Sequence, residues 1–221
     1  MYLQGQVGPQ ITADGSTPAM RLGRSAEGVI QELHGRFYEQ CYRGNTFSWG
    51  KTAAALSANS ITLTATTTPI IGLWNPSTSI INAVILQARV QSVLQAASST
   101  TQGALVWAIS TGNGGITVGN SPWNRKTLVQ SGSACKGFDL ATAFTGLTNN
   151  LVIFDAADLS CGVQITTSTV TAATVVPMTN AVQNFDGNLI VPPGGVLALL
   201  NTTSTTNITV AAGILWEEVP V

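Results

Sequence analysis

Charge is what this sequence has least of. Of its 221 residues nine are basic and ten acidic, 9% in all, where a soluble chain carries roughly 25%. The formal net charge of −1 supplies no field that would draw nucleic acid or an anionic membrane to the surface. Histidine is scarcer still. His34 stands alone, and one imidazole makes neither a zinc set nor a well-anchored general base. The three cysteines, Cys41, Cys135 and Cys161, are odd in number, far apart and outside any CxxC pair. They point to no disulfide framework and suit a protein made in a reducing cytosol. No uninterrupted apolar run reaches the roughly 20 residues of a membrane-spanning helix. The most apolar stretch, Pro69–Val90, is cut at Asn75–Ser79. The opening MYLQGQVGPQ has neither the basic start nor the apolar centre of a secretory signal. We therefore expect a chain that neither spans a membrane nor is exported by a signal.

What is present falls into two unlike parts. Residues 1–24 hold Gly5, Gly8, Pro9, Asp14, Gly15, Pro18 and Gly23 with little periodicity, the pattern of an extended arm. Helical spacing follows from Ser25 to Gly44. Ser25 suits an N-cap, Glu27 the first turn, Arg43 the last turn and Gly44 the C′ position. Ile30, Leu33, Phe37 and Cys41 form one apolar stripe, with Val29 and Tyr38 beside it. Gly28 and Gly35 each cost about 1 kcal/mol against Ala. Such a helix depends on a surface to dock on.

From about Leu56 the character changes, and SITLTAT (60–66) alternates with period two. SITLTAT (60–66), PIIGLWN, SIINAVILQARV, GALVWAIS (103–110), NLVIFDA (150–156), CGVQITTSTV (161–170), NLIV (188–191), GVLALLN (195–201) and NITVAAGILWEEV (207–219) read as strands. Turns fall at Asn75–Ser79, at the glycine-rich 112–122 and at PPGG, Pro192–Gly195. No fixed-period repeat is present. About nine strands with turn-rich links predict a mainly β chain, an antiparallel jelly-roll-like sandwich preceded by an extended arm and one short helix. The expected division is 1–50 for arm and helix and 51–221 for the sandwich.

Chemistry is hard to assemble from these residues. No GxSxG surrounds a serine, and His34 lies opposite the apolar stripe. Asp155 and Asp158 read as solvated loop carboxylates before they read as a calcium site. Glu217 and Glu218 are adjacent on a strand, so their side chains point to opposite faces and cannot flank one glycosidic bond. One of them is expected to pair with an arginine. GNGG (112–115) lacks the lysine of a phosphate loop. No catalytic, cofactor-binding or metal-binding residue is assigned, and no cofactor is expected. Trp49, Trp74, Trp107, Trp123 and Trp216 could form a sugar platform, but tryptophans in a sandwich serve mostly as core or interface anchors.

The thin charge is unevenly spread. Residues 21–51 hold Arg21, Arg24, Glu27, Glu32, Arg36, Glu39, Arg43 and Lys51, eight of the nineteen charged side chains. A charged amphipathic helix on a neutral β body suggests an anchor joined to a display domain, the alternative being a helix that caps its own sandwich. Arg21, Arg24, Arg36, Phe37, Tyr38, Tyr42 and Arg43 are the candidate contacts of that anchor. Trp107 and Trp216 are the candidate contacts between copies.

ELHGRFYEQCYRGNTFS (32–48), the run into Thr- and Ser-rich strands, and the ending NLIVPPGGVLALLNTTSTTNITVAAGILWEEVPV (188–221) resemble structural proteins of tailed-bacteriophage virions. The likeness is to jelly-roll cement or decoration proteins. It implies a non-enzymatic protein that sits as a homotrimer on the outside of a capsid. Its partners would be the major capsid protein or another virion protein and itself, with no nucleic acid and no membrane. Its place would be the virion, after synthesis in the bacterial cytoplasm. Competing expectations are a tail, head-to-tail or receptor-binding β domain, and a carbohydrate-binding module.

Overall fold

A computed structural model describes residues 5–6, 20–21, 37–56, 69–95, 105–113, 119–139, 147–156, 180–201 and 205–221. The chain divides into two units, 1–39 and 40–221. In the first, β1 (Gly5–Gln6) pairs in parallel with β2 (Met20–Arg21). Most of the expected arm, and the helix before Phe37, lie outside the described residues. Helix α1 runs from Tyr38 to Arg43.

The second unit is an antiparallel jelly-roll sandwich. Its strands are β3 (Thr46–Leu56), β4 (Ile71–Trp74), β5 (Ile81–Gln95), β6 (Leu105–Ser110), β7 (Trp123–Asn124), β8 (Lys136–Asp139), β9 (Val152–Ala156), β10 (Asn180–Val191), β11 (Val196–Asn201) and β12 (Thr205–Pro220). One sheet has the order β10-β5-β12-β3-β7 and the other β8-β4-β11-β6-β9. The pairs β3:β12, β4:β11, β5:β10 and β6:β9 are all antiparallel and nest inside one another. They form one long hairpin rolled up so that successive pairs fall in alternate sheets, which is what defines a jelly roll. β7 and β8 come from the connection between β6 and β9. β7 extends one sheet beside β3, and β8 extends the other beside β4.

The sandwich starts earlier than expected. β3 opens at Thr46, not after residue 50, because Phe47 and Trp49 point inward while Ser48 and Gly50 point out. The strands expected at 60–66 and 161–170 lie outside the described residues.

The two sheets are buried differently. β11 alternates between two cores: Leu197 and Leu199 face the space between the sheets, with Trp49, Trp107 and Trp216. Val196, Ala198 and Leu200 face the other way, against Trp74, Phe138, Leu147 and Leu151. This sheet is therefore covered on both sides by its own chain, which is why VLALLN and IGLW read as unbroken apolar runs. The β5–β12–β3 sheet keeps a solvent face. Ala83, Ile85, Ala88 and Val90 point inward, while Arg89 and Gln91 are exposed.

At one end two buried asparagines fasten the loops. Asn75 Nδ2 donates to the carbonyls of Ile81 at 2.8 Å and Val191 at 3.0 Å. Asn113 Oδ1 accepts from the N–H groups of Thr148 at 2.9 Å and Asn149 at 3.1 Å. Gly194, at φ +78, carries the PPGG turn as predicted, and its N–H donates to the Asn75 carbonyl at 2.8 Å.

Candidate interaction surface

The end of α1 follows the capping signal in the sequence. Gly44 takes φ +82. Its N–H donates to the Cys41 carbonyl, and that of Asn45 to the Gln40 carbonyl, each at 3.0 Å. These are the two bonds of a Schellman cap. The helix buries none of its residues fully. Tyr38, Tyr42 and Arg43 are exposed and Phe37 is partly buried. Of the other anchor candidates, Arg24 and Arg36 lie outside the described residues, as does His34, and Arg21 is placed only by its position in β2.

The loop after β7 builds against this cap. Asn124 is the fastener: its Nδ2 donates to the Gly44 carbonyl at 2.8 Å. Its Oδ1 accepts from the N–H groups of Lys126 at 2.9 Å and Thr127 at 3.2 Å. Its backbone N–H reaches the Val129 carbonyl at 2.9 Å, and its carbonyl accepts from Leu128 N–H at 2.9 Å. The Lys126 ammonium lies 4.8 Å from the centre of the Tyr42 ring, within cation–π range. Trp123, Leu128 and Val129 stay exposed, Leu128 by 72%. Leu128 also has φ +58, a conformation that glycine or asparagine adopts more easily.

Sequence reasoning missed this loop. WNRKTLVQSG does carry a signal, since a basic pair between Asn124 and Gly132 marks an exposed turn. Nothing local, however, places that turn against α1.

The contacts assigned to Trp107 and Trp216 need correction. They are 1% and 0% exposed, and Trp216 stacks on Phe47 at 6.2 Å, so neither offers side-chain surface to another copy. Both point inward from strands whose two faces the sequence could not rank. Trp49 is equally buried, and its indole N–H donates to the Phe138 carbonyl at 3.0 Å. Beside it Lys51 pairs with Asp139 at 3.3 Å. The connection between β6 and β9 thus closes the open side of the sandwich.

Among the described residues Glu218 takes no arginine partner of the kind expected. Its carboxylate accepts from Ser133 Oγ at 2.5 Å and from the N–H groups of Ala134 at 3.1 Å and Cys135 at 3.4 Å. This stitches β12 to the approach of β8. Burial, reinforced by this carboxylate, pushes the Cys135 thiol far above its ordinary range. Cys41 and Cys135 are free thiols. Asp155 is engaged by Gln183 Nε2 at 2.9 Å. Among the described residues no three or more His, Cys, Asp or Glu converge as metal ligands, and no helix is long and apolar enough to cross a membrane.

No protein-family model, curated protein or solved structure matches this chain.

Proposed function

We propose that this chain is a non-enzymatic structural protein of a tailed-bacteriophage virion, a decoration protein that binds the outside of the assembled head and stiffens it. Leu128 is the observation that carries the reading. A left-handed leucine costs about 1–2 kcal/mol where Gly or Asn would cost less, and a side chain 72% exposed recovers little of that by burial. Strain of this kind concentrates at working surfaces. With Val129, Trp123 and Tyr42 it offers apolar and aromatic anchors, and Lys126 and Arg43 supply a cationic rim. That composition suits a protein partner.

The scarcity of charge supports the same reading, because copies packed side by side repel one another little. We infer a homotrimer, in which three weak attachments act together through effective concentration. With Trp107 and Trp216 buried, the self-contact is reassigned to β9. Val152, Ile153 and Phe154 are all exposed there, on the edge strand of the otherwise covered sheet.

Co-sedimentation with heads assembled without the protein tests the role. Leu128→Asn relieves the strained backbone, so it should raise the melting temperature of the free protein while weakening attachment about tenfold or more. A variant that binds like the parent would remove Leu128 from the interface. The same surface could serve a tail, head-to-tail or receptor-binding domain. Microscopy of particles carrying a labelled chain separates these roles, and label confined to the tail would defeat the decoration reading.

A further inference from the structure

The solvent face of the β5–β12–β3 sheet carries a cavity of about 200 Å³, and strand register sets its floor. Gly213 on β12 lies between Arg89 on β5 and Gly50 on β3. Two residues along β12, Leu215 lies between Gln87 and Ser48, and Ser48 has Trp123 of β7 on its far side. The result is a glycine-floored trough with an exposed indole beside it. Arg125 contributes to the opposite wall from Arg89, its backbone N–H donating to the Thr46 carbonyl at 2.9 Å.

The fold does not demand either glycine. Neither has a positive φ. A Cβ at Gly50 would come 3.4 Å from the Ala212 carbonyl oxygen, and one at Gly213 would come 3.6 Å from that of Trp49. Both are ordinary contacts. Paired glycines weaken the middle of a sheet and mark places where something else approaches the backbone closely. The walls favour an anion. Arg89 Nε donates to Gln87 Oε1, and Gln87 Nε2 to Asn184 Oδ1, each at 2.6 Å. That chain steadies the guanidinium while leaving its terminal nitrogens for another acceptor. Among the described residues neither Arg89 nor Arg125 is ion-paired with a carboxylate.

We propose that this trough binds an anionic monosaccharide unit, with its carboxylate or phosphate taken by Arg89 and Arg125 and its ring laid over Gly50 and Gly213 toward Trp123. A planar guanidinium matches either anion through two parallel hydrogen bonds. The C–H face of a sugar ring suits a floor without side chains and the negative face of an indole. Ser48 and Gln87 supply hydroxyl partners. A peptide adding as an extra strand would not lie over this floor, since β12 there is already paired with β5 on one side and β3 on the other. A single exposed indole gives no stacking row for a polynucleotide. The proposal is independent of where on a particle the chain sits.

Titration of the full chain, followed by ligand-observed NMR, decides it. The probes are glucuronic acid, glucose 6-phosphate, glucose, acetate and inorganic phosphate. At least one of the two anionic sugars should bind about tenfold or more tightly than glucose and than its own free anion, and which one does so identifies the anion. Arg89→Ala, Arg125→Ala and Gly213→Ala should each weaken that binding about tenfold. Gly213→Ala should do so with an unchanged or higher melting temperature, which separates a lost site from a damaged fold. Leu128→Asn should leave sugar binding intact, which separates this site from the proposed attachment surface. The inference fails if neither anionic sugar binds, if glucose or the free anions bind as tightly, or if Gly213→Ala binds like the parent.

Discussion

Among the described glycines, Gly137 leaves the least room for a side chain, because it packs against Trp49. A methyl group on Gly137 would stand 2.4 Å from the Trp49 ring, and the indole cannot retreat because its N–H is held by the Phe138 carbonyl. Gly137→Ala should therefore cost about 2–3 kcal/mol, as overpacking does, read as a fall in the denaturant midpoint at unchanged slope. Cys135 makes a second residue-scale prediction. Its thiol is raised by burial and by the Glu218 carboxylate, so the folded state holds this proton after the unfolded chain releases it. The stabilisation is complete below the thiol's unfolded value, near pH 9, and declines as pH rises further. Chemical denaturation from pH 8 to 11 should show a steeper alkaline loss for the parent than for Cys135→Ala. Parallel slopes would mean that the thiol is not the group responsible.

Among the elements, the loop after β7 depends on one side chain. Asn124 spends its amide on the α1 cap and its carbonyl oxygen on two backbone N–H groups of the turn. Asn124→Ala leaves all three without that partner. With partial access to water the expected cost is about 2 kcal/mol, measured by thermal melting. Amide exchange at Lys126 and Thr127 should rise with it. If exchange there is unaltered, the turn holds its shape without Asn124. α1 itself was legible in its last turn, because a C′ glycine acts through local backbone geometry. The docking of the 123–130 loop against it was not, because the hydrogen bond from Asn124 to Gly44 joins positions 80 residues apart.

For the whole molecule the difference between the sheets decides what is available to partners. One sheet is covered on both faces and leaves β9 as an apolar edge; the other presents a neutral face with the arginine-walled trough. Self-association through β9 predicts that light scattering at micromolar concentration gives a trimer for the parent. Ile153→Lys, which places a charge in that edge, should shift it to monomer without lowering the melting temperature. A parent that is monomeric in the absence of particles would sink the trimer. A variant that stays trimeric would move the contact elsewhere.

Short apolar runs bounded by turn residues mark buried strands, so those at Ile71–Trp74, Leu105–Ser110 and Val196–Asn201 could be read from the sequence. So could the PPGG turn, where two prolines fix φ and Gly194 takes the positive value that few other residues adopt. The mainly β sandwich followed from these. Alternation divides a strand's residues between two faces but does not say which face meets water. That choice buried Trp107 and Trp216 and left Trp123 in solvent. Short strands carry too little pattern to register, so β7 and β8 emerged only through pairing with β3 and β4. Glu218 met residues 133–135, and Gly213 met Arg89 and Gly50, through contacts spanning as many as 163 positions. The order of side chains along the chain was set by sequence; which of them share a surface was set by strand register across the rolled hairpin, where each pairing fixes neighbours that no local preference can encode.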